Sequence, residues 1–379
     1  MTTAERTARM GLLAAHDGGD LGLARLVRDR GAVEVWDHVR AGGSTQLARR
    51  ASVVDVDEVR RQTSACGARF IIPGDDEWPG GVDELAWSDP VGHSGGEPLG
   101  LWVIGPARLS DLTGSVAMVG SRASTAYGEH VAADWAAGLA EHGRVVVSGG
   151  AYGIDAAAHR GVLGSGGVTV AVMAGGLARL YPVGNSALLD QIAKQGAVVS
   201  EYPPERSPSR ARFLVRNRLI AALSQATVIV EAALRSGAQN TVSWALSLQR
   251  PVLAAPGPVT SSTSYTPHRL IRESQAIAAT TVEDILEVVE PLGVSRMINP
   301  GASDPSQPLL GGVCVSETGL TPAQARVRAI LPSRRGISVD ELSARTGESP
   351  LALLVSLAQL KQLGQAVQTR FGTWRVAHP

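Results

Sequence analysis

Lysine is almost missing from this chain: of 35 basic residues among 379, only Lys194 and Lys361 are lysines, so fixed positive charge comes from arginine. Cysteine is as scarce. Cys66 and Cys314 lie far apart, which excludes a disulfide framework and a CxxC zinc site and fits a reducing cytoplasm. Aromatic residues make up 4%, so a core must be built mostly from Ala, Val and Leu. No window approaches 18 uncharged apolar residues, and the N-terminal MTTAERTARMGLLAAHDGGD interrupts any signal-like stretch with acids and a histidine. A soluble, cytoplasmic protein without a membrane segment is expected. There is no GxGxxG and no Walker A sequence, which disfavours dinucleotide and triphosphate binding. Net charge is also absent, at a formal value of zero, which argues against a generally polyanion-coated protein.

That zero hides an uneven distribution. Residues 69–120 carry two basic against eight acidic residues, whereas 321–376 carry eight basic against three. The densest basic run has five arginines between Glu205 and Arg218: Arg206, Arg210, Arg212, Arg216 and Arg218. Phe213 sits among them, and the apolar run Leu219–Leu223 and the β-branched run Thr227–Val230 follow. Arginines with an interleaved aromatic at the rim of a buried sheet suit a nucleic-acid backbone and a stacked base. A solvated arginine-rich loop is the plainer alternative.

Length suggests two or three domains. Residues 1–68 read as short helices (Ala4–His16, Leu21–Arg30, Ala32–Ala41, Val56–Cys66), a helical domain for docking or capping, with a DNA-binding helix-hairpin-helix as the alternative. Over 69–290 the expectation is an α/β, Rossmann-like, doubly wound and mainly parallel sheet. Phe70–Ile72 and Leu101–Ile104 make edge strands, and short β-branched strands then alternate with helices from Val116 to Ala254. The pattern closes with a helix near Arg269–Glu273, strand Ala276–Ala279 and helix Val282–Val289. Residues 291–319 have linker composition, rich in Gly, Pro and Ser. Helices Pro322–Leu331, Val339–Thr346 and Pro350–Leu363, with a hairpin turning at Gly372, make 320–379 a winged helix.

Ligands of doubly wound sheets bind beyond the carboxyl ends of the strands. Three such ends carry glycine turns: Gly120-Ser121-Arg122, Ser148-Gly149-Gly150-Ala151-Tyr152-Gly153, and Ser236-Gly237-Ala238-Gln239-Asn240-Thr241. Each would offer backbone N–H groups at a helix N-terminus, a site for phosphate. Asp155 and His159, four residues apart on one helix, would share a hydrogen bond pinning the Ser148 loop. A general acid–base pair is the alternative, but no nucleophile accompanies it. Glu231 is expected to hold the loop at Ser236-Gly237, and Tyr181–Asn185 to cap the following helix.

The runs VGSR (119–122), SGGAYGIDAAAH (148–159), YPVGN (181–185), FLVRNRLIAALS (213–224), VIVEA (228–232) and RPVLAAPG (250–257) resemble the DNA-processing protein A family, DprA or Smf, of bacterial transformation. The resemblance implies a homodimer that binds and protects single-stranded DNA and loads a RecA-type recombinase, with no catalytic activity and no cofactor. It gives Arg122, Arg210 and Arg212 to phosphates and Phe213 to a base. Gly120 and Ser121 would shape the first turn, Ser148, Gly149, Gly150 and Gly153 would supply donors, and Asn217 and Arg218 would complete the pocket wall. Asp155, His159, Glu231, Ser236 and Gly237 would support it. The family's usual leucine is absent at Gly149 or Gly150, and its proline is replaced by Leu214. The rival from another class is a nucleotide-processing enzyme of the phosphoribohydrolase type. The turn at 236–241 lacks that type's glycine pair and acid. A duplex-binding regulator driven by the winged helix is a third reading, for which the third helix offers few base-reading side chains.

Overall fold

The computed structural model describes residues 2–112, 114–234 and 236–290, with 327, 328, 330–332, 336–346, 353, 356, 357, 360, 361, 365–369 and 373–376 of the C-terminal part. The expected linker 291–319, the turn at Gly372 and most of helices 322–331 and 350–363 lie outside them. Two compact units result, Met1–Val294 and Ser295–Pro379. No described helix is long and apolar enough to cross a membrane.

Five helices open the chain: α1 (Thr3–Ala15), α2 (Leu21–Arg30), α3 (Ala32–Arg40), α4 (Gln46–Ala51) and α5 (Val56–Ala65). Thr2, Asp20, Thr45 and Asp55 cap four of them by accepting N–H groups of the first turn, satisfying donors that have no partner in the helix. The helix α4, started by Thr45 after a glycine-rich turn, was not expected from the sequence. Leu12, Leu13, Val35, Trp36 and Val59 share one apolar cluster with Phe70, Trp102, Met173 and Val198 of the sheet, so the bundle has no core of its own.

The sheet has nine strands: β1 (Arg69–Ile71), β2 (Leu101–Ile104), β3 (Val116–Val119), β4 (Val146–Ser148), β5 (Thr169–Met173), β6 (Ala197–Ser200), β7 (Ala226–Ile229), β8 (Val252–Ala254) and β9 (Ile277–Ala278). Their order is β1-β2-β6-β5-β4-β3-β7-β8-β9. Only β1–β2 and β2–β6 pair antiparallel, as the edge strands expected from 69–104 would. Within β3 and β5, successive residues alternate between two cores. Val116 and Met118 face α6 (Ala126–Glu141), α7 (Ile154–Gly164) and α12 (Val282–Val289), whereas Ala117, Val119, Val170 and Val172 join the core with α9 (Arg210–Ala222) and α10 (Ala238–Ser247). Burial on both faces explains why the strands read as unbroken apolar runs. The remaining helices are α8 (Ser186–Gln195) and α11 (Tyr265–Arg272).

The winding sets the site. From β3 the chain moves outward through β4, β5 and β6, then returns to β7 on the other flank of β3 and continues to β8 and β9. The connections above the carboxyl ends of β3 and β7 therefore diverge, leaving a crevice at the switch point.

In the C-terminal unit a helix over Val339–Thr346 begins beyond Ser338, whose hydroxyl accepts the Glu341 N–H at 3.2 Å. Strands β10 (Ala366–Gln368) and β11 (Trp374–Val376) pair antiparallel. Val327, Leu331, Ile337, Leu342, Leu353, Leu357, Leu360 and Trp374 form its core.

Candidate functional site

A cavity of about 850 Å³ opens at that crevice. Its first wall is the turn after β3. Gly120 is required there, because a Cβ would come within 2.5 Å of Ile154 Cγ1 and 2.8 Å of the Glu231 carbonyl oxygen. The Ser121 N–H donates to that carbonyl at 2.6 Å, and the Ser121 carbonyl accepts the Ile154 N–H at 3.2 Å. The turn is thus locked to β7 and α7, and exposed Arg122 projects from it with its guanidinium carbon 4.6 Å from the Phe213 ring centroid.

The opposite wall is α9, which starts at Arg210, three residues before the expected Phe213. Ser209 caps it, accepting the Arg212 N–H at 3.4 Å. Arg210, Phe213, Leu214 and Asn217 line the cavity from this helix. Their spacing of three, four and seven residues places them on one face. Phe213 is half-buried, with Tyr181 tilted 58° against it at 6.1 Å. Asn217 Nδ2 donates to Asn240 Oδ1 at 3.2 Å and Gly237 O at 3.4 Å, tying α9 to the third turn. Ser236 and Gly237 also line the cavity.

Two arginines depart from expectation. Arg218 does not reach the cavity: it is fully buried, and its Nη2 donates to Glu201 Oε1 at 2.6 Å. Arg212 turns to the N-terminal helices, where Nε and Nη2 donate to Asp17 Oδ1 at 3.0 and 2.9 Å and Nη1 donates to the Ser207 carbonyl. The Arg206 guanidinium donates to the Ala14 carbonyl at 2.5 Å. Part of the basic run therefore fastens the helical bundle.

The second turn also differs. Ser148 is buried and donates to the Met118 carbonyl at 2.6 Å. The Gly149 and Ala151 N–H groups, expected to face a ligand, donate instead to Asp155 Oδ2 at 3.2 and 3.3 Å. Only Ala151 and Asp155 of this region reach the cavity; Ser148, Gly149, Gly150 and Gly153 form its scaffold. Asn185, rather than capping α8, donates from Nδ2 to the carbonyls of Gly150 and Ala151 at 3.0 and 3.1 Å. Burial pushes the Asp155 carboxyl above its usual range, against the pull of the Arg216 guanidinium.

Arg216 is the residue that sequence reasoning left out of the site. It is buried and lines the cavity floor, donates to the Val172 carbonyl, and lies 5.7 Å from the Phe213 centroid. A Cβ on Gly149 would occupy its guanidinium. Burial lowers its pKa to about 10, so it stays charged at neutral pH. Its position three residues after Phe213 on the same helix was the available signal.

Asp155 and His159 do not pair. His159 Nδ1 lies 2.7 Å from Thr169 Oγ1, whose hydroxyl donates to the Val146 carbonyl, and its Nε2 has no partner among the described residues. Burial, with Arg216 and Arg160 nearby, lowers the His159 pKa to about 3. The unfolded chain therefore binds a proton near pH 6.5 that the folded chain refuses, and stability falls as pH drops below 6.5. Denaturation curves between pH 6.5 and 5 should approach a slope of about 1.4 kcal/mol per pH unit from this group. His159→Gln should flatten that slope; an unchanged slope would remove His159 as its source.

Glu231 likewise holds different partners. Its carboxylate accepts from Thr125 N–H (2.9 Å), Thr125 Oγ1 (2.7 Å) and Thr263 Oγ1 (2.9 Å), fixing the start of α6 rather than the Ser236 loop.

The chain matches known proteins across this architecture. The sequence profile of the family described as DNA recombination-mediator protein A matches residues 69–290. A Mycobacterium tuberculosis chain named DNA processing protein DprA is 46% identical over 367 residues, covering 93% of this chain and 90% of that one. Protein Smf of Escherichia coli is 42% identical over 173 residues, 45% of this chain and 46% of its own length. Among solved structures, DNA processing protein A of Streptococcus pneumoniae superposes with a TM-score of 0.62 at 30% identity, covering 73% of this chain and 95% of that one. DNA processing protein A of Helicobacter pylori, solved for its single-stranded DNA binding mode, gives a TM-score of 0.50 at 29% identity, covering 58% and 94%. By its matched core and by a relative aligned over nearly its whole length, this chain belongs to the DNA recombination-mediator protein A family.

Proposed function

We propose that the cavity binds single-stranded DNA without sequence preference. The observation that carries this reading is Arg122 held over the Phe213 ring at the mouth of a crevice that also presents Arg210 and Asn217. A guanidinium beside an aromatic face matches the phosphate and base of one nucleotide, and every base has a π-face to stack. The buried Arg216 adds positive potential from below, where low dielectric strengthens it.

The likeness to the family supports the wider reading in which a cytoplasmic homodimer protects the bound strand and passes it to a RecA-type recombinase without a catalytic step. The C-terminal unit is read as a winged helix that contacts protein or, weakly, duplex. Filter binding over a range of salt concentrations tests the cavity. Arg122→Ala should weaken all sequences equally and reduce the slope of log affinity against log salt by about 0.7, the share of one phosphate on a single strand. Phe213→Ala should cost about 1–3 kcal/mol of binding. Curves for Arg122→Ala that overlay the wild type at every salt concentration would overturn the reading.

A further inference from the structure

Phe213 and Tyr181 do not wall only the main cavity. With Gly149, Met173, Pro208 and Arg179 they also enclose a second, smaller depression beside it. Tyr181 is 46% exposed although the chain has few aromatics to leave in water. Its ring is tilted 58° to Phe213, so the two do not stack face to face, and the exposed Tyr181 ring is open to another ring. Arg179 is freely presented. Its side chain is 89% exposed, and its one ion pair among the described residues, with Glu205 at 3.7 Å, is itself half exposed. Such a pair contributes little in water and yields readily to a better anion.

The segment that carries both residues is strapped in place. The Gly176 N–H donates to the Arg206 carbonyl at 2.7 Å and the Ala178 N–H to the Pro204 carbonyl at 2.9 Å, while Asn185 ties its far end to Gly150 and Ala151. Leu180 packs into the core beneath. Arg179 and Tyr181 are therefore offered on a fixed support, which spares the ordering cost that a loose loop would incur on binding.

We propose that Tyr181 and Arg179 form a second nucleotide subsite, occupied by the nucleotide next to the one at Phe213 on the same strand. Its base lies against Tyr181 and its phosphate replaces Glu205 at Arg179. This rests on the single-strand reading of the main cavity and extends it from one position to a track.

The test is equilibrium binding of the full chain to two oligothymidines, one long enough for both depressions and one short enough for the main cavity alone. Tyr181→Ala should weaken the long oligonucleotide about ten-fold, the order expected for one stacked base, and the short one much less. Tyr181→Phe should restore tight binding, because the ring and not the hydroxyl is used. Arg179→Ala should lower the salt slope for the long oligonucleotide by about 0.7, and Arg179→Lys should restore it. Unchanged binding of the long oligonucleotide by both alanine variants, beside impaired Arg122→Ala, overturns the subsite and leaves the main cavity standing. So does an equal loss at both lengths, which would make Tyr181 part of the first position. Wild-type binding by Arg122→Ala as well would bring down the underlying reading.

Discussion

Arg218→Ala is expected to lower folding stability by about 3–5 kcal/mol, because it strands a carboxylate in the core. The Arg218 and Glu201 side chains are 0% and 1% exposed. Only the contact from Nη2 to Oε1 joins them, while Glu201 Oε2 and Arg218 Nε and Nη1 find no partner among the described residues. The pair is therefore under-satisfied even when intact. Removing the cation leaves a carboxylate that is 1% exposed without its counter-charge. The turn after α1 closes over it, since a Cβ on Gly18 would fall into the Glu201 carboxylate. Denaturant midpoints test this, with Arg218→Met/Glu201→Leu as the comparison. The double apolar replacement should recover most of the loss, because desolvation offsets much of the attraction in a buried pair. Arg218→Ala that unfolds like the wild type but no longer binds oligonucleotide would return Arg218 to the cavity wall.

That residue also shows how far a sequence can be read. The α/β class was legible because β-branched runs and glycine turns recur at regular spacing, and helices α8 and α12 and strand β8 fall on their expected boundaries. The basic run was legible as a site but not as a face. With α9 started at Phe213, Arg210 and Arg212 are loop residues free to point at a ligand. Started at Arg210, the helix puts Arg212 about 200° and Arg218 about 80° around the axis from Arg210, away from Phe213 and Asn217. Three residues at a helix start decided where Arg210 and Arg212 point, whereas Arg218 stands about 100° from Asn217 on either start. The partners of Glu231 and His159 were out of reach for a different reason. Thr125 is 106 residues from Glu231, and Thr169 comes alongside His159 only once β5 is docked. Spacing reports neighbours on one element, whereas these pairs exist only after the sheet has ordered its strands. The same holds for the helical bundle, whose even balance of charge gave no hint that Asp17 would take Arg212.

Gly153→Ala is expected to damage both stability and binding. Gly153 precedes α7 with φ 74° and ψ −128°, a conformation that a residue with a side chain adopts at a cost. Its missing side chain is also what lets the second turn close on the first: a Cβ would strike the Ser121 carbonyl oxygen and lie 2.8 Å from the Arg122 carbonyl oxygen and 2.9 Å from Ser124 Oγ. Strain and overlap together should cost roughly 2–6 kcal/mol. The turn carrying Arg122 would be displaced, so oligonucleotide affinity should fall even in the folded fraction. Gly143→Ala provides the contrast. Gly143 also has positive φ, 69°, but a Cβ there meets nothing within 4 Å. It should therefore show only the backbone penalty, about 1–2 kcal/mol, with binding intact. Thermal melts and filter binding on both variants separate the two contributions. If Gly153→Ala costs no more than Gly143→Ala and binds as tightly, close contact at Gly153 does not hold Arg122 over Phe213, and the cavity wall must be fixed by the bonds of Ser121 to Glu231 and Ile154.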